Sequence, residues 1–197
     1  AYAAMAEAAG IHMAQSRLIS SDTCHGYFAS RRFDRPEPGR RRHVVSLAGA
    51  AEAPSHMPSL GYDGFLRAVL AITRDVRDVE EVFRRMVFNV LAHNRDDHTR
   101  QHAFLMDDAG RWRLSPAYDV TFSNGPAGEH YMDVSGEGRR PSRLHVMQLA
   151  KRHGIRRPEE IIAEVRSAVR LWPELAERAG VVISGEMITS MGSWSAA

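Results

Sequence analysis

Apolar positions recur at helical spacing through much of the chain. Phe65, Leu66, Val69 and Leu70 fall on one face after Asp63, and Val79, Val82, Phe83, Met86, Val87, Val90 and Leu91 do the same after Asp78. Both patterns predict amphipathic helices that bury a stripe against a common core. Residues 2–9 are alanine-rich helix formers stopped by Gly10. Two more helices are predicted over 142–153 and 158–172, the second opened by Pro158 with Glu159 and Glu160 in its first turn. Val44–Ala51 reads as a short helix.

Strand signals are shorter. Met13–Ile19 and Tyr27–Phe33 flank the polar turn Ser20-Ser21-Asp22-Thr23, and Ala103–Met106 and Trp112–Leu114 flank Asp107-Asp108-Ala109-Gly110. The Pro/Gly/Arg stretch 36–42 and the segment 53–62, with Pro54, Pro58 and Gly61, predict loops. The fold class expected is α+β, mostly α-helical, with short β-hairpins and no internal repeat.

Composition narrows the class without naming a function. A chain of 197 residues that is 44% hydrophobic and 25% charged is an ordinary globular one, which excludes disordered and collagen-like architectures. The net charge is +2, and 25 of the 26 basic residues are arginine, leaving Lys151 as the single lysine. That excess is too small to predict direct nucleic-acid binding, and Arg40-Arg41-Arg42 reads as a solvated loop. The lone Cys24 implies no oxidising compartment, and no apolar run approaches the roughly 20 residues a membrane helix needs, so no membrane contact and a cytoplasmic location are expected. A helix already under way at Ala1 leads us to expect further sequence upstream.

Candidate chemistry concentrates in His93-Asn94-Arg95-Asp96-Asp97-His98-Thr99-Arg100-Gln101-His102, between an apolar helix and a hairpin. A polar loop held between two buried elements is preorganised. Asp119 follows Asp96 by 23 residues, beyond the hairpin. The order matches that of kinases: a catalytic Asp, a metal-binding amide five residues on, a hairpin, then a metal-binding Asp. Asp96 would accept or orient the substrate hydroxyl proton. Gln101 stands in the amide position, and Asp119 offers a hard oxygen to magnesium. Taken singly, Asp97, His93 and His102 read as solvated or capping groups. A competing reading puts His98 and His102, four apart, on one helical face as zinc ligands of a metal-dependent hydrolase.

The run Asn94-Arg95-Asp96-Asp97-His98-Thr99-Arg100-Gln101-His102-Ala103-Phe104-Leu105, followed by Trp112-Arg113-Leu114-Ser115-Pro116-Ala117-Tyr118-Asp119-Val120, resembles the C-terminal domain of the HipA family. These are serine/threonine-kinase toxins of bacterial type II toxin–antitoxin systems. Arg32-Phe33-Asp34-Arg35 resembles the family's inter-lobe segment, and the likeness runs from Ala1 to about Trp172. The resemblance implies a linking helix and hairpin over 1–35 and the helical C-terminal lobe of a protein-kinase-like fold over 36–197. It implies Asp96 as general base and Asp119 with Gln101 as magnesium ligands. His98, Thr99, Arg100 and Gln101 would contact nucleotide from one side, Tyr118 and Asp119 from the other, and Arg31, Arg32 and Phe33 would meet the adenine through their backbone. ATP and Mg2+ are the implied cofactors, a HipB-like DNA-binding antitoxin the implied partner, and a translation factor such as an aminoacyl-tRNA synthetase the implied protein substrate.

Two departures matter. Gln101 replaces the usual Asn, and its extra methylene moves the carbonyl by more than ~1 Å against a magnesium–oxygen distance of about 2.1 Å. No Gly-rich phosphate loop precedes the hairpin, and Ser135-Gly136-Glu137-Gly138, lying after Asp119, reads as a surface turn. Lys151 also follows the catalytic loop, where it cannot serve as a strand lysine pairing with phosphate. These departures support the alternative of a catalytically inactive module that retains only antitoxin binding.

Overall fold

In the computed structural model, helix α4 (Val76–Leu91) forms the spine of the core. Asp75 caps it by accepting the Arg77 N–H at 2.9 Å, and Val82, Phe83, Met86, Val87 and Phe88 are fully buried along it. Each such side chain contributes roughly 1.5–3 kcal/mol through burial. The structure describes residues 1–24, 26–53, 60–181, 187, 191, 192 and 194.

Helix α3 (Tyr62–Thr73) packs on α4 through Phe65, Leu66 and Val69. It ends at Arg74, which adopts a left-handed φ of 55°. On another side of α4 lies α6 (Pro158–Val169), which also meets α1 (Tyr2–Ala8). Helix α5 (Arg143–Arg152) opens with Ser142 and His145 capping each other. The predicted 158–172 helix is α6, which stops three residues early at Val169, and a further, unpredicted helix α7 (Trp172–Arg178) follows with Pro173 in its first turn. Proline lacks the N–H that a continuous helix would need there.

Five short strands make two sheets among the described residues. Strands β1 (Ser16–Ile19) and β2 (Tyr27–Ser30) form an antiparallel hairpin with Ser16 opposite Ser30, and Leu18, Ile19, Tyr27 and Phe28 are exposed on it. Both strands are shorter than expected. Met13 pairs singly with Ala117 instead, and Arg31–Phe33 lies beyond the last β2 pair. The second sheet runs β3 (Val44–Ser46), β4 (Ala103–Met106), β5 (Trp112–Leu114), all antiparallel.

Strand β3 corrects the prediction of a helix over Val44–Ala51. Its β-branched Val44 and Val45 pair with Leu105 and Phe104, and only then does Ser46 cap the short α2 (Leu47–Ala50), accepting the Gly49 N–H at 3.1 Å. Of the loop expected over 53–62, residues 54–59 lie outside the described residues. No helix among the described residues is long and apolar enough to cross a membrane.

Candidate active site

Two limbs of chain converge where the N-terminal end of β4 lies beside the C-terminal end of β5. The first leaves α4 at Ala92 and turns at His93, whose φ is 55° and whose ring stacks on Phe122 at 5.1 Å. It runs through Asn94–Asp97 and closes as a single 3-10 turn, Thr99–Gln101, before β4. The second leaves β5 at Leu114 and reaches Tyr118 and Asp119. Backbone bonds clamp it to residues 12–14: Ala117 N–H to His12 O at 2.7 Å, and Ala14 N–H to Ala117 O at 2.8 Å.

The limbs are joined by side chains. Gln101 Nε2 donates to Asp119 Oδ2 at 2.7 Å, and the Tyr118 hydroxyl donates to the Arg100 carbonyl at 2.7 Å. Burial pushes the Tyr118 phenol up to about 12; the Arg85 charge opposes this and the Asp119 charge adds to it. It therefore remains a donor at neutral pH. Asp119 holds a φ of 54°, a left-handed conformation unfavourable for a residue with a Cβ. Such conformations persist where surrounding contacts over-determine them, often at functional sites.

Asp119 and Tyr118 form one wall of a cavity of about 640 Å³ whose other wall is Phe28, Ser30, Arg31, Arg32, Phe33 and Asp34. The Phe33 and Tyr118 rings, both lining it, pack against each other with centroids 5.7 Å apart at a 38° tilt. Arg31 folds back, its Nη2 donating to the Pro36 carbonyl at 3.1 Å, and Arg32 makes a two-pronged ion pair with Asp34 at 2.8 and 2.6 Å. Arg31 Nη1 also donates to Gln15 Oε1 at 3.3 Å, so both guanidiniums are engaged and the aromatic faces are left to define the cavity.

The predicted residues do not all gather here. Arg31, Arg32, Phe33, Tyr118 and Asp119 line the cavity, and Gln101 touches Asp119. Arg100 is exposed, while Thr99 is buried at 8% exposure. His98 lies edge-on to Tyr131 at 5.4 Å, with Nε2 3.8 Å from Asp96 Oδ1. Asp96 is half-buried and is not among the residues lining this cavity.

His98 and His102 flank the 3-10 turn and share no helix face. His102 has the extended backbone of a strand entrance, and its ring packs 4.5 Å from Phe65 at 5% exposure. Burial drives its pKa down to about 3, helped by the charges of Arg85 and His98. Among the described residues, no three His, Cys, Asp or Glu side chains are grouped as metal ligands. The helical premise of the zinc reading is therefore absent.

Asp97, expected to be solvated or capping, is 1% exposed and organises the loop. Its Oδ2 accepts the Tyr62 hydroxyl at 2.8 Å and lies 2.9 Å from His130 Nδ1, and its Oδ1 accepts the Tyr131 N–H at 2.9 Å. Arg95 pins the loop outward, its Nη1 donating to the Gly128 carbonyl at 2.6 Å. The segment crossing over Arg95 needs Gly125, with φ 66°: a Cβ there would meet Glu129 O at 2.0 Å and Arg95 Cβ at 2.7 Å. Of these partners only the Asp-Asp pair stands out in the sequence.

The sequence profile of the HipA-like C-terminal domain matches residues 1–172. Over 98 residues the chain is 35% identical to protein Y4dM of Sinorhizobium fredii (strain NBRC 101917 / NGR234), whose name marks it provisionally as a kinase; the match covers 49% of this chain and 24% of that protein. The fold is similar to that of a chain in the Shewanella oneidensis MR-1 toxin–antitoxin complex of HipA, HipB and operator DNA, with TM-score 0.71 and 17% identity over 95% of this chain and 50% of that one. The chain thus spans about half the length of this structural relative and about a quarter of the curated one.

Proposed function

Because the chain belongs to the HipA-like C-terminal domain family, we propose that it provides the helical catalytic lobe of a serine/threonine protein kinase toxin that uses ATP and Mg2+. The observation that supports this most is the Gln101–Asp119 bond at the wall of the Phe33–Tyr118 cavity. It joins the loop bearing Asp96 to the second acidic limb beside a space bounded by aromatic rings.

The donor set suits magnesium. An amide and a carboxylate whose ends lie 2.7 Å apart can share one ion once the amide turns its oxygen inward, a rotation that costs only the hydrogen bond to Asp119. Magnesium held there would neutralise charge on the nucleotide phosphates. Arg31–Phe33 and Tyr118 would receive the base. Asp96 would take the proton from a Ser or Thr hydroxyl as its oxygen bonds to the γ-phosphorus and the bond to the β-phosphate oxygen breaks, releasing ADP.

By analogy with the Shewanella complex, a HipB-like antitoxin would be the partner. The family resemblance, and not that complex, suggests a protein substrate such as an aminoacyl-tRNA synthetase, and the lone Cys24 with no long apolar run fits a cytoplasmic location. A second reading, an inactive binding module, draws on Lys151. This single lysine is exposed on α5, after the catalytic loop, and cannot act as the phosphate-pairing strand lysine.

Calorimetry of Mg-ATP binding by the 197-residue chain and by the full-length gene product, each beside Asp119→Ala, separates the two. The kinase reading expects weak binding by the chain, clear binding by the full-length product, and loss of that binding in the variant. Absence of binding to the full-length product, or binding indifferent to Asp119→Ala, leaves the binding-module reading.

A further inference from the structure

Helix α4 is apolar on its buried side except at two positions, Arg85 and Asn89, one turn apart and only 3% and 4% exposed. Each reaches a different limb of the candidate site. Asn89 Oδ1 accepts from Asn94 Nδ2 at 3.0 Å, while its backbone carbonyl accepts the Asn94 N–H at 2.9 Å. Asn89 Nδ2 donates to the Tyr62 hydroxyl at 2.8 Å, and that hydroxyl donates to Asp97 Oδ2. Arg85 Nη2 donates to the Ser115 carbonyl at 2.9 Å, three residues before Tyr118, and its Nε pairs with Glu81 at 2.8 Å.

The chain of donors from Asn94 through Asn89 and Tyr62 runs in one direction and ends on a carboxylate. Burial, reinforced by the Asp97 charge, pushes the Tyr62 phenol well above its ordinary range, so it keeps its proton and donates. Bonds of this kind strengthen one another in a dry interior. The consequence for the loop is geometric. Asn94 and Asp97 are both held by these bonds, and Arg95 and Asp96 form a two-residue span between them in which the Arg95 N–H also donates to the Ser123 carbonyl at 3.2 Å. Asp96 projects from a loop whose ends are tied, through Asn89, to the helix that also ties the Asp119 limb.

We propose that Tyr62 and Asn89 are positioning residues for Asp96, setting where its carboxyl stands relative to Asp119 without touching substrate. What Asp96 does there rests on the phosphoryl-transfer reading; where it is held does not.

Tyr62→Phe removes one hydroxyl, breaking two links of the chain while leaving the ring in the core. Hydrogen–deuterium exchange on the 197-residue chain is expected to speed up about tenfold or more at residues 94–98, with α6 unchanged. Asn89→Ala should reproduce that local pattern. In the full-length gene product, kcat for transfer should fall about tenfold or more with KM for ATP within about twofold, because misplacement acts on the transition state and not on nucleotide binding. Unchanged exchange at 94–98 in Tyr62→Phe, or a rise spread evenly over the chain as a merely stabilising group would give, overturns the proposal. So does unchanged kcat beside a loosened loop. The phosphoryl-transfer reading fails separately, by absence of transfer from a wild-type full-length product that binds Mg-ATP.

Discussion

Acidification should destabilise this fold well before its carboxylates titrate, and His102 is the reason. Its ring is buried against Phe65, and its pKa falls from 6.5 to about 3 on folding. The unfolded chain therefore binds a proton at His102 that the folded chain refuses, so stability is present above pH 6.5 and is lost as pH falls towards 3. With 6.5 as the unfolded value, the loss between pH 7 and pH 5 is about 2 kcal/mol, approaching about 1.4 kcal/mol per unit at the acid end of that interval. The carboxylates with depressed values, Asp34, Asp63, Asp75, Asp107 and Glu137, lose their stabilising effect only below their ordinary range of about 4, outside the interval. Urea unfolding at pH 7, 6 and 5, with wild type beside His102→Gln, isolates the effect. The variant has its own offset, but its slope against pH should be flatter by about 2 kcal/mol across the interval. Parallel slopes would show that His102 is protonated in the folded state, and the burial argument would be refuted.

Two further outcomes follow from the loop. Asp97→Ala strands the Tyr62 hydroxyl, His130 Nδ1 and the Tyr131 N–H in the interior and should cost about 3–5 kcal/mol in denaturant unfolding; a loss under about 1 kcal/mol would mean that these groups find other partners. Gly125→Ala must fit a Cβ against the Glu129 carbonyl at positive φ and should lower stability by more than about 1 kcal/mol, whereas Gly136→Ala, at a similar φ with nothing near its Cβ, should cost less in the same assay.

The long helices were legible because their cores are local in sequence: the spacing of Val79, Val82, Phe83, Met86 and Val90 needs no partner to be recognised. Strand β3 was not. Three residues give no period, and what makes Val44 and Val45 a strand is β4, about sixty residues away. The same difference governs the site. The order Asp96, Gln101, Asp119 can be read along the chain, and the structure brings Gln101 and Asp119 into contact. Asp97 looks like any loop acid, because its partners Tyr62 and His130 lie 35 and 33 residues away. Asn89 carried a readable signal, being a polar residue inside the apolar stripe of α4, but its use depends on Tyr62, from another helix. The break between α6 and α7 was also visible, in Pro173, since a proline four residues past Val169 cannot donate to the Val169 carbonyl and opposes continuation.

Phosphoryl transfer is tested most directly by incubating the full-length gene product with Mg2+ and γ-labelled ATP, with Asp96→Ala in parallel and nucleotide binding measured on both. Transfer with Asp96 as base predicts label on Ser or Thr of a protein acceptor with wild type, and loss of label in Asp96→Ala with nucleotide affinity within about twofold, since a base that meets the hydroxyl contributes to transfer and not to binding. Label undiminished in Asp96→Ala would contradict the assignment of the base. No label from a wild-type product that binds Mg-ATP would contradict the kinase function itself.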